Sequence, residues 1–386
     1  MFGTVVERVP DKKIIPREDL LALAQFENHG GRAISFYFSS TAFSDRAHLE
    51  QFIALKKLGQ SVVRSHFGKN PPPATVASDL LAVFERASQM QRSSLGFKAI
   101  FACGEQDLWQ EFELPLRMDV RFLQLGRRFY LKPLLRAIES CCPYCVVLLE
   151  HGKARGFLVR GTLIQEIEGY FSKQGARLHV DDSRVGWSHH VEGEARQHAQ
   201  AYLRGISREI QDFLTLLRCG DLLIGCREDL WGEIRSYLSK DVTGAVRGHF
   251  HLPTFDASPE HVLQTAQPVF SLYREEQHAG WLNVVRERSR GSAEGIAAVV
   301  QELEEGRVHT LLLDSSVNTQ MLECLSCGHA TATTMHICPH CSTTDFAAVD
   351  AHEVLIRKAL LTGSDVLTID GLEASATGGV AALLRY

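Results

Sequence analysis

The 386-residue chain contains no apolar run near the roughly 18 residues that a bilayer crossing takes, so no membrane partner is expected. Its opening carries Glu7, Arg8, Asp11, Lys12 and Lys13 where a secretory leader would hold an apolar core, and a cytoplasmic location is the expectation. No strand-associated GxGxxG and no GxxxxGK[ST] loop is present, which argues against dinucleotide and P-loop nucleotide sites. A GxSxG elbow is missing too, so nothing marks a conventional hydrolase. Positive charge is in short supply: 41 Lys and Arg face 46 Asp and Glu, a net charge of -5 that excludes a uniformly basic nucleic-acid binder and gives no reason to expect DNA. With 45% hydrophobic and 23% charged residues, the composition is that of a folded chain of two to four domains rather than a disordered or fibrous one.

The net charge hides a gradient. Residues 1–140 hold 19 basic against 15 acidic residues (+4), 141–290 hold 18 against 19 (-1), and 291–386 hold 4 against 12 (-8). Such a polarity suits either ordinary drift between domain surfaces or an adaptor whose front meets phosphate and whose back meets a basic protein.

Periodicity divides the chain into three segments. In residues 1–140, helical patterns (Arg17–Phe26, His48–His66, Thr75–Gln91) surround strand-like runs at Arg32–Phe38, Phe97–Ala102, Leu108–Leu114 and Val120–Leu125. Residues 141–290 open with a hairpin, Tyr144–Glu150 and Ala154–Arg160, followed by a strand at Leu163–Ile167. After a polar stretch come a helix (Val191–Arg218), a strand (Asp221–Cys226), a helix (Arg227–Leu238), a strand (Ala245–His251) and a helix from Pro259 to about Arg288. Alternating strands and helices imply a mixed sheet covered by helices. Residues 291–386 read as a small α/β sandwich, with a helix at Ala293–Glu304, strands at Thr310–Leu313 and Val366–Ile369, a helix at Ala351–Leu361 and a terminal strand at Val380–Arg385.

Ten cysteines in a reducing compartment are expected as thiols or metal ligands. Cys324-Leu-Ser-Cys327 and Cys338-Pro-His-Cys341 form two CxxC knuckles ten residues apart, the spacing of a structural zinc ribbon over 324–341. Four thiolates leave no open coordination position, so one structural zinc is expected, with His329, His336 and His340 outside the ligand set. A further CxxC, Cys142-Pro143-Tyr144-Cys145, has the letters of a redox tetrapeptide. It runs directly into a strand, however, where activation at a helix N-terminus is lacking, and is expected to be a plain strand entrance.

The stretch from 172 to 190 is too long and polar for a simple connection. It ends in Arg184-Val185-Gly186-Trp187-Ser188-His189-His190, with Arg196 on the helix beyond. An aromatic side chain beside glycine, flanked by Arg and His, could stack on RNA bases and touch phosphate; alternatively Trp187 packs back on its own domain.

This order of segments resembles the archaeo-eukaryotic class 1 peptide-chain release factors and Pelota, and most of all their bacterial relatives. The residues carrying the resemblance are Tyr144–Glu150 with Ala154–Val159, the loop Gly186-Trp187-Ser188 before a helix, the cysteine ribbon, and the ending Gly378-Gly379-Val380-Ala381-Ala382-Leu383-Leu384-Arg385-Tyr386. The resemblance implies a three-domain α/β protein whose middle domain has a ribonuclease-H-like mixed sheet. It further implies partners in the ribosomal A site and its RNA, and a translational GTPase such as elongation factor Tu. Family members that release peptides carry a Gly-Gly-Gln loop, and some bacterial ones Gly-Gly-Trp-Ser-Gln. The matching positions here read Val185-Gly186-Trp187-Ser188-His189, and the chain's two Gly-Gly pairs, Gly30-Gly31 and Gly378-Gly379, do not precede Gln.

The leading expectation is therefore a ribosome-associated factor of hibernation, stress or rescue, similar to the Balon-type branch. In it Arg184, Gly186, Trp187, Ser188, His189, His190 and Arg196 contact RNA and no residue is catalytic. Two alternatives stand beside it: peptidyl-tRNA hydrolysis with His189 in the glutamine's place, and a zinc-ribbon RNA-binding protein acting off the ribosome.

Overall fold

The computed structural model describes residues 15–40, 45–93, 96–116, 120–150, 152–171, 189–252, 254–287, 291–314, 316–331, 336–369, 372 and 378–385. The chain divides into two compact units, one holding 142–277 and the other holding 12–141 together with 278–386. The first and third segments of the sequence thus share a unit. The reason lies in the sheet of the first segment.

That segment contains α1 (Arg17–Gln25), β1 (Ala33–Ser40), α2 (Asp45–Phe67), α3 (Ala74–Ser93), β2 (Gly96–Cys103), β3 (Leu108–Leu114), β4 (Arg121–Gly126) and α4 (Lys132–Ser140). The sheet is antiparallel in the order β3-β2-β1-β4. β1 and β2 are apolar on both faces, the mark of a sheet covered on both sides. Ile34, Phe36, Phe38, Ile100 and Ala102 pack on Leu55, Val76, Leu80 and Val83 of α2 and α3. Side chains alternate along a strand, so Ala33, Tyr37, Phe97, Ala99 and Phe101 point the other way. There they share a core with Val299, Leu311, Leu355 and Ala359 of the third segment.

Helix α4 was not foreseen from the sequence. Its start is fixed by a tertiary cap: the Glu353 carboxylate accepts from the backbone N–H groups of Leu131 (2.8 Å) and Lys132 (2.5 Å). Burial pushes this carboxyl up to about 8, against the two N–H donors that favour its charged form.

The other unit is built from β5 (Tyr144–Glu150), β6 (Lys153–Arg160), β7 (Leu163–Glu166), α5 (His189–Leu217), β8 (Leu222–Gly225), α6 (Glu228–Ile234), α7 (Lys240–Ala245), β9 (Val246–Phe250) and most of α8 (Pro259–Arg286). Its strand order is β7-β6-β5-β8-β9. The three strands of the meander pair antiparallel, and β5, β8 and β9 pair parallel, which is the expected ribonuclease-H-like mixed sheet. Alternate residues of β5 serve two cores: Cys145, Val147 and Leu149 meet Ile206, Ile210 and Phe213 of α5, while Tyr144, Val146 and Leu148 meet Val262, Ala266 and Phe270 of α8. Gly156 is required on β6, because a Cβ there would lie 2.6 Å from the Phe213 ring and 2.7 Å from that of Phe171. The helix expected over Arg227–Leu238 ends at Ile234, and a second one, α7, which was not expected, follows it. Ser239 caps the second, its Oγ accepting from the Val242 N–H at 3.3 Å, and so starts a new helix where the first has ended.

The third segment adds β10 (Ser292–Glu294), α9 (Ile296–Glu304), β11 (Val308–Asp314), β12 (Gln320–Cys324), β13 (Ala330–Thr331), β14 (Phe346–Asp350), α10 (Ala351–Leu361), β15 (Asp365–Ile369) and β16 (Val380–Leu384). The helix expected from Ala293 begins at Ile296, because Ser292–Glu294 pair with β16 and Gly295, at φ 86°, turns the chain between strand and helix. One sheet runs β10-β16-β11-β15, and the cysteine insertion forms a second, β13-β12-β14.

Candidate functional site: a four-cysteine metal centre

Both CxxC turns are built alike. In the first, the N–H of Gly328 donates to the Cys324 carbonyl (2.9 Å) and the N–H of Cys324 to the His329 carbonyl (2.8 Å). In the second, Ser342 donates to Cys338 (2.8 Å) and Cys338 to Thr343 (2.8 Å). Each turn closes with a left-handed residue, Gly328 at φ 73° and Ser342 at φ 59°. The Leu325 N–H donates to the Asp345 carbonyl at 3.0 Å and ties one turn to the chain leaving the other.

These turns bring the Sγ atoms of Cys324, Cys327, Cys338 and Cys341 within 4.8 Å of one another. Cys324 and Cys341 are 3.4 Å apart, and Cys327 and Cys338 3.5 Å. A tetrahedral tetrathiolate with metal–sulfur bonds of about 2.3 Å has sulfur–sulfur edges of about 3.8 Å. The arrangement is therefore compatible with one structural metal ion. The donor set fits as well, four soft thiols being what such an ion takes: burial disfavours the Cys324 thiolate, yet the N–H groups of Cys327 and Ser326 and the adjacent thiols bring that thiol down to about 7, while Cys327 and Cys341 are pushed up by burial and by hydrogen bonds from their neighbouring thiols. Among the described residues this is the one cluster of metal-ligating side chains. No histidine belongs to it; His329 and His340 instead lie ring to ring, centroids 4.3 Å apart.

The neighbouring structure holds the ribbon's base. Glu323, buried beside Cys324, accepts from Arg128 (2.5 Å) and from Arg357 of α10 (2.6 Å). Arg127 donates to the carbonyl of Leu325, inside the first CxxC, at 2.8 Å. The sequence reading missed these three arginines. The adjacent pair Arg127-Arg128 was a visible signal, but its partners lie about two hundred residues away.

Cys145 sits inside β5, buried, and its thiol is pushed up by donating a hydrogen bond to Cys219 and by burial. The plain strand entrance expected for Cys142–Cys145 is what the structure contains. Arg184, Gly186, Trp187 and Ser188 lie outside the described residues. His189, His190 and Arg196 fall on α5, with side chains outside what is described.

Residues 130–271 match the family model "Bacterial archaeo-eukaryotic release factor family 10". No curated protein matches. Among solved structures, an archaeal translation termination factor, aRF1, is 17% identical over 96% of this chain and 99% of its own, with a TM-score of 0.26. Dom34 of S. cerevisiae, a translation termination-like factor, is 12% identical over 96% and 93%, with a TM-score of 0.39. Archaeal Pelota, in a ribosome-bound model with ABCE1, is 14% identical over 75% and 78%, with a TM-score of 0.41. The stretch 130–271, which runs from the end of β4's connection to the middle of α8 and includes the whole β7-β6-β5-β8-β9 sheet, is thus similar to the bacterial archaeo-eukaryotic release factors.

Proposed function

We propose that the protein is a translation factor that occupies the A site of vacant or stalled ribosomes in hibernation, stress or rescue, without hydrolysing peptidyl-tRNA. The observation that carries this reading is the family match over 130–271 combined with the sequence Val185-Gly186-Trp187-Ser188-His189 where hydrolytic members carry a glycine pair and glutamine. A β-branched residue tolerates the left-handed conformations open to glycine poorly, and His189 stands at the position of the water-orienting amide. In this reading Arg184, Trp187, His189, His190 and Arg196 contact ribosomal RNA. The exposed Lys57 and Arg64 of α2 and Lys69 just beyond it face RNA from the basic first segment, and the acidic third segment meets a translational GTPase. The segments 1–140, 141–290 and 291–386 are its functional parts. The four-cysteine site holds zinc, the borderline-soft divalent ion that favours a closed tetrathiolate, and serves structure alone.

The test is co-sedimentation of the purified protein with vacant 70S ribosomes at physiological salt. The parent pellets with ribosomes and Trp187→Ala pellets less; a parent left in the supernatant ends the reading. A release assay on stalled ribosomes separates binding from hydrolysis. Release at the spontaneous rate by both parent and His189→Ala agrees with the proposal, whereas release by the parent that is lost in His189→Ala replaces it with the hydrolytic alternative.

A further inference from the structure

Two sheets of the unit formed by 12–141 and 278–386 end at one cleft. β4 is the edge of the first-segment sheet, β14 is the edge of the ribbon sheet, and both line a cavity of about 580 Å³. That volume lies in the range of ligand sites. Leu23, Ala24 and Leu131 supply an apolar floor, and the guanidinium groups of Arg127, Arg128 and Arg357 enter from one side.

Charge does not balance at this wall. Arg128 and Arg357 share the single carboxylate of Glu323. Arg127 pairs with Glu27 at 3.1 Å, and Arg128 reaches the same carboxylate at 3.2 Å. Three guanidinium groups, each less than a quarter exposed, thus share two carboxylates, and the buried Nε of Arg127 has no hydrogen-bond partner. The other carboxylates in the wall do not offset the surplus. Asp350 is held by the Tyr130 hydroxyl (2.7 Å) and faces Lys132 at 3.8 Å, and the Glu353 carboxylate is taken up by the backbone N–H groups of Leu131 and Lys132. A half-desolvated surplus cation calls for an anion.

The register says what kind of molecule brings it. Glu323 of β12 lies directly opposite Ala347 of β14, so both project on one face of the ribbon sheet. A strand added along the free edge of β14 would place every second side chain on that face, beside the arginines that Glu323 gathers. Ala347 and Ala348 carry small side chains that let a backbone approach. We propose that the cleft is a β-addition site for an extended partner peptide bearing an Asp or Glu, whose main chain pairs with β14 and whose carboxylate meets Arg128 and Arg357.

The experiment selects random dodecapeptides by display on the full-length, metal-loaded protein, with counter-selection on Arg357→Gln, whose folding is verified by an unchanged melting profile. Recovered sequences are expected to carry an acidic residue amid β-branched ones with no central proline. A fluorescein-labelled recovered peptide should bind about tenfold more weakly to Arg357→Gln, and about tenfold more weakly again to the parent once its acidic residue is changed to the amide. N-methylating alternate backbone amides of the peptide leaves the protein untouched and should abolish binding. Failure to enrich any sequence over the counter-selection overturns the proposal. Equal binding of the N-methylated peptide overturns strand addition, and competition by a free mononucleotide with no peptide selected would make the cleft a small-anion site instead.

Discussion

The chain contains the letters CxxC three times, and the structure puts them to opposite uses. At Cys142–Cys145 the motif enters a strand: Cys142 is exposed, Cys145 is buried in β5, and the residue that follows, Val146, is a core side chain paired with Phe157. At Cys324–Cys327 and Cys338–Cys341 the residues that follow, Gly328 and Ser342, are left-handed, and each turn closes on itself. The spacing alone is silent about this. What separates the two uses is whether the next residue lets the backbone turn, since only a turned backbone aims both sulfurs at one point.

The strongest way to break the comparison is to remove one thiol from each kind of site. Cys338→Ser should abolish stoichiometric metal, from about one zinc per chain to near none by elemental analysis, because a structural tetrathiolate contributes on the order of 10 kcal/mol of metal-linked folding energy. Its melting temperature should fall and lose its sensitivity to chelator. Cys142→Ser should leave both unchanged, and equal loss from the two variants would show that the motifs are not distinct.

Thiol reactivity sharpens the same contrast without a mutation. In the metal-loaded protein at pH 8, iodoacetamide should label Cys142 and spare Cys145, whose burial and hydrogen bond to Cys219 keep it a thiol. Cys226, pushed up to about 12 chiefly by burial, should also stay unlabelled. After chelation the exposed Cys327 and Cys341 should join Cys142, but more slowly than it, because burial and hydrogen bonds among the neighbouring thiols push both up, as read by peptide mass spectrometry. Labelling of Cys145 at the rate of Cys142 would contradict its placement in β5.

Much of this was legible in the sequence because it depends on local rules. The meander of β5, β6 and β7, the two knuckles and the glycine that follows one of them all rest on neighbouring residues. The features that escaped rest on distant partners. α4 starts where a carboxylate from residue 353 caps it, and the ribbon's base is gripped by Arg127 and Arg128, partners nearly two hundred positions away. The strands β1 and β2 were expected as strand-like runs, but not that their sheet is covered on both faces, nor that part of the second cover comes from residues beyond 278. For the candidate RNA loop the limit is different. Its chemistry was read from Arg184 to Arg196, whose side chains the described structure does not include.

Gly328 and Ser342 test the turn itself. Gly328→Val forces a β-branched residue into φ 73° beside the Arg128 guanidinium, 3.4 Å from where its Cβ would sit, and should cost roughly 2 kcal/mol, lowering the melting temperature by several degrees.

Ser342→Gly is the smallest effect and the most discriminating. At φ 59° the serine already bears the left-handed cost of about 1 kcal/mol that glycine would relieve, while glycine adds a comparable loss of chain entropy on folding. The two nearly cancel, so stability should stay within about 0.5 kcal/mol of the parent and metal content should not change. The same exchange at Val146 has no strain to relieve. It removes a buried side chain and weakens a strand, and should cost roughly 2 to 4 kcal/mol. If the substitutions at 342 and 146 proved equally costly, the residue after the CxxC would not be what sets the motif's use. A near-neutral Ser342→Gly beside a damaging Val146→Gly would locate the distinction in the backbone of that one position.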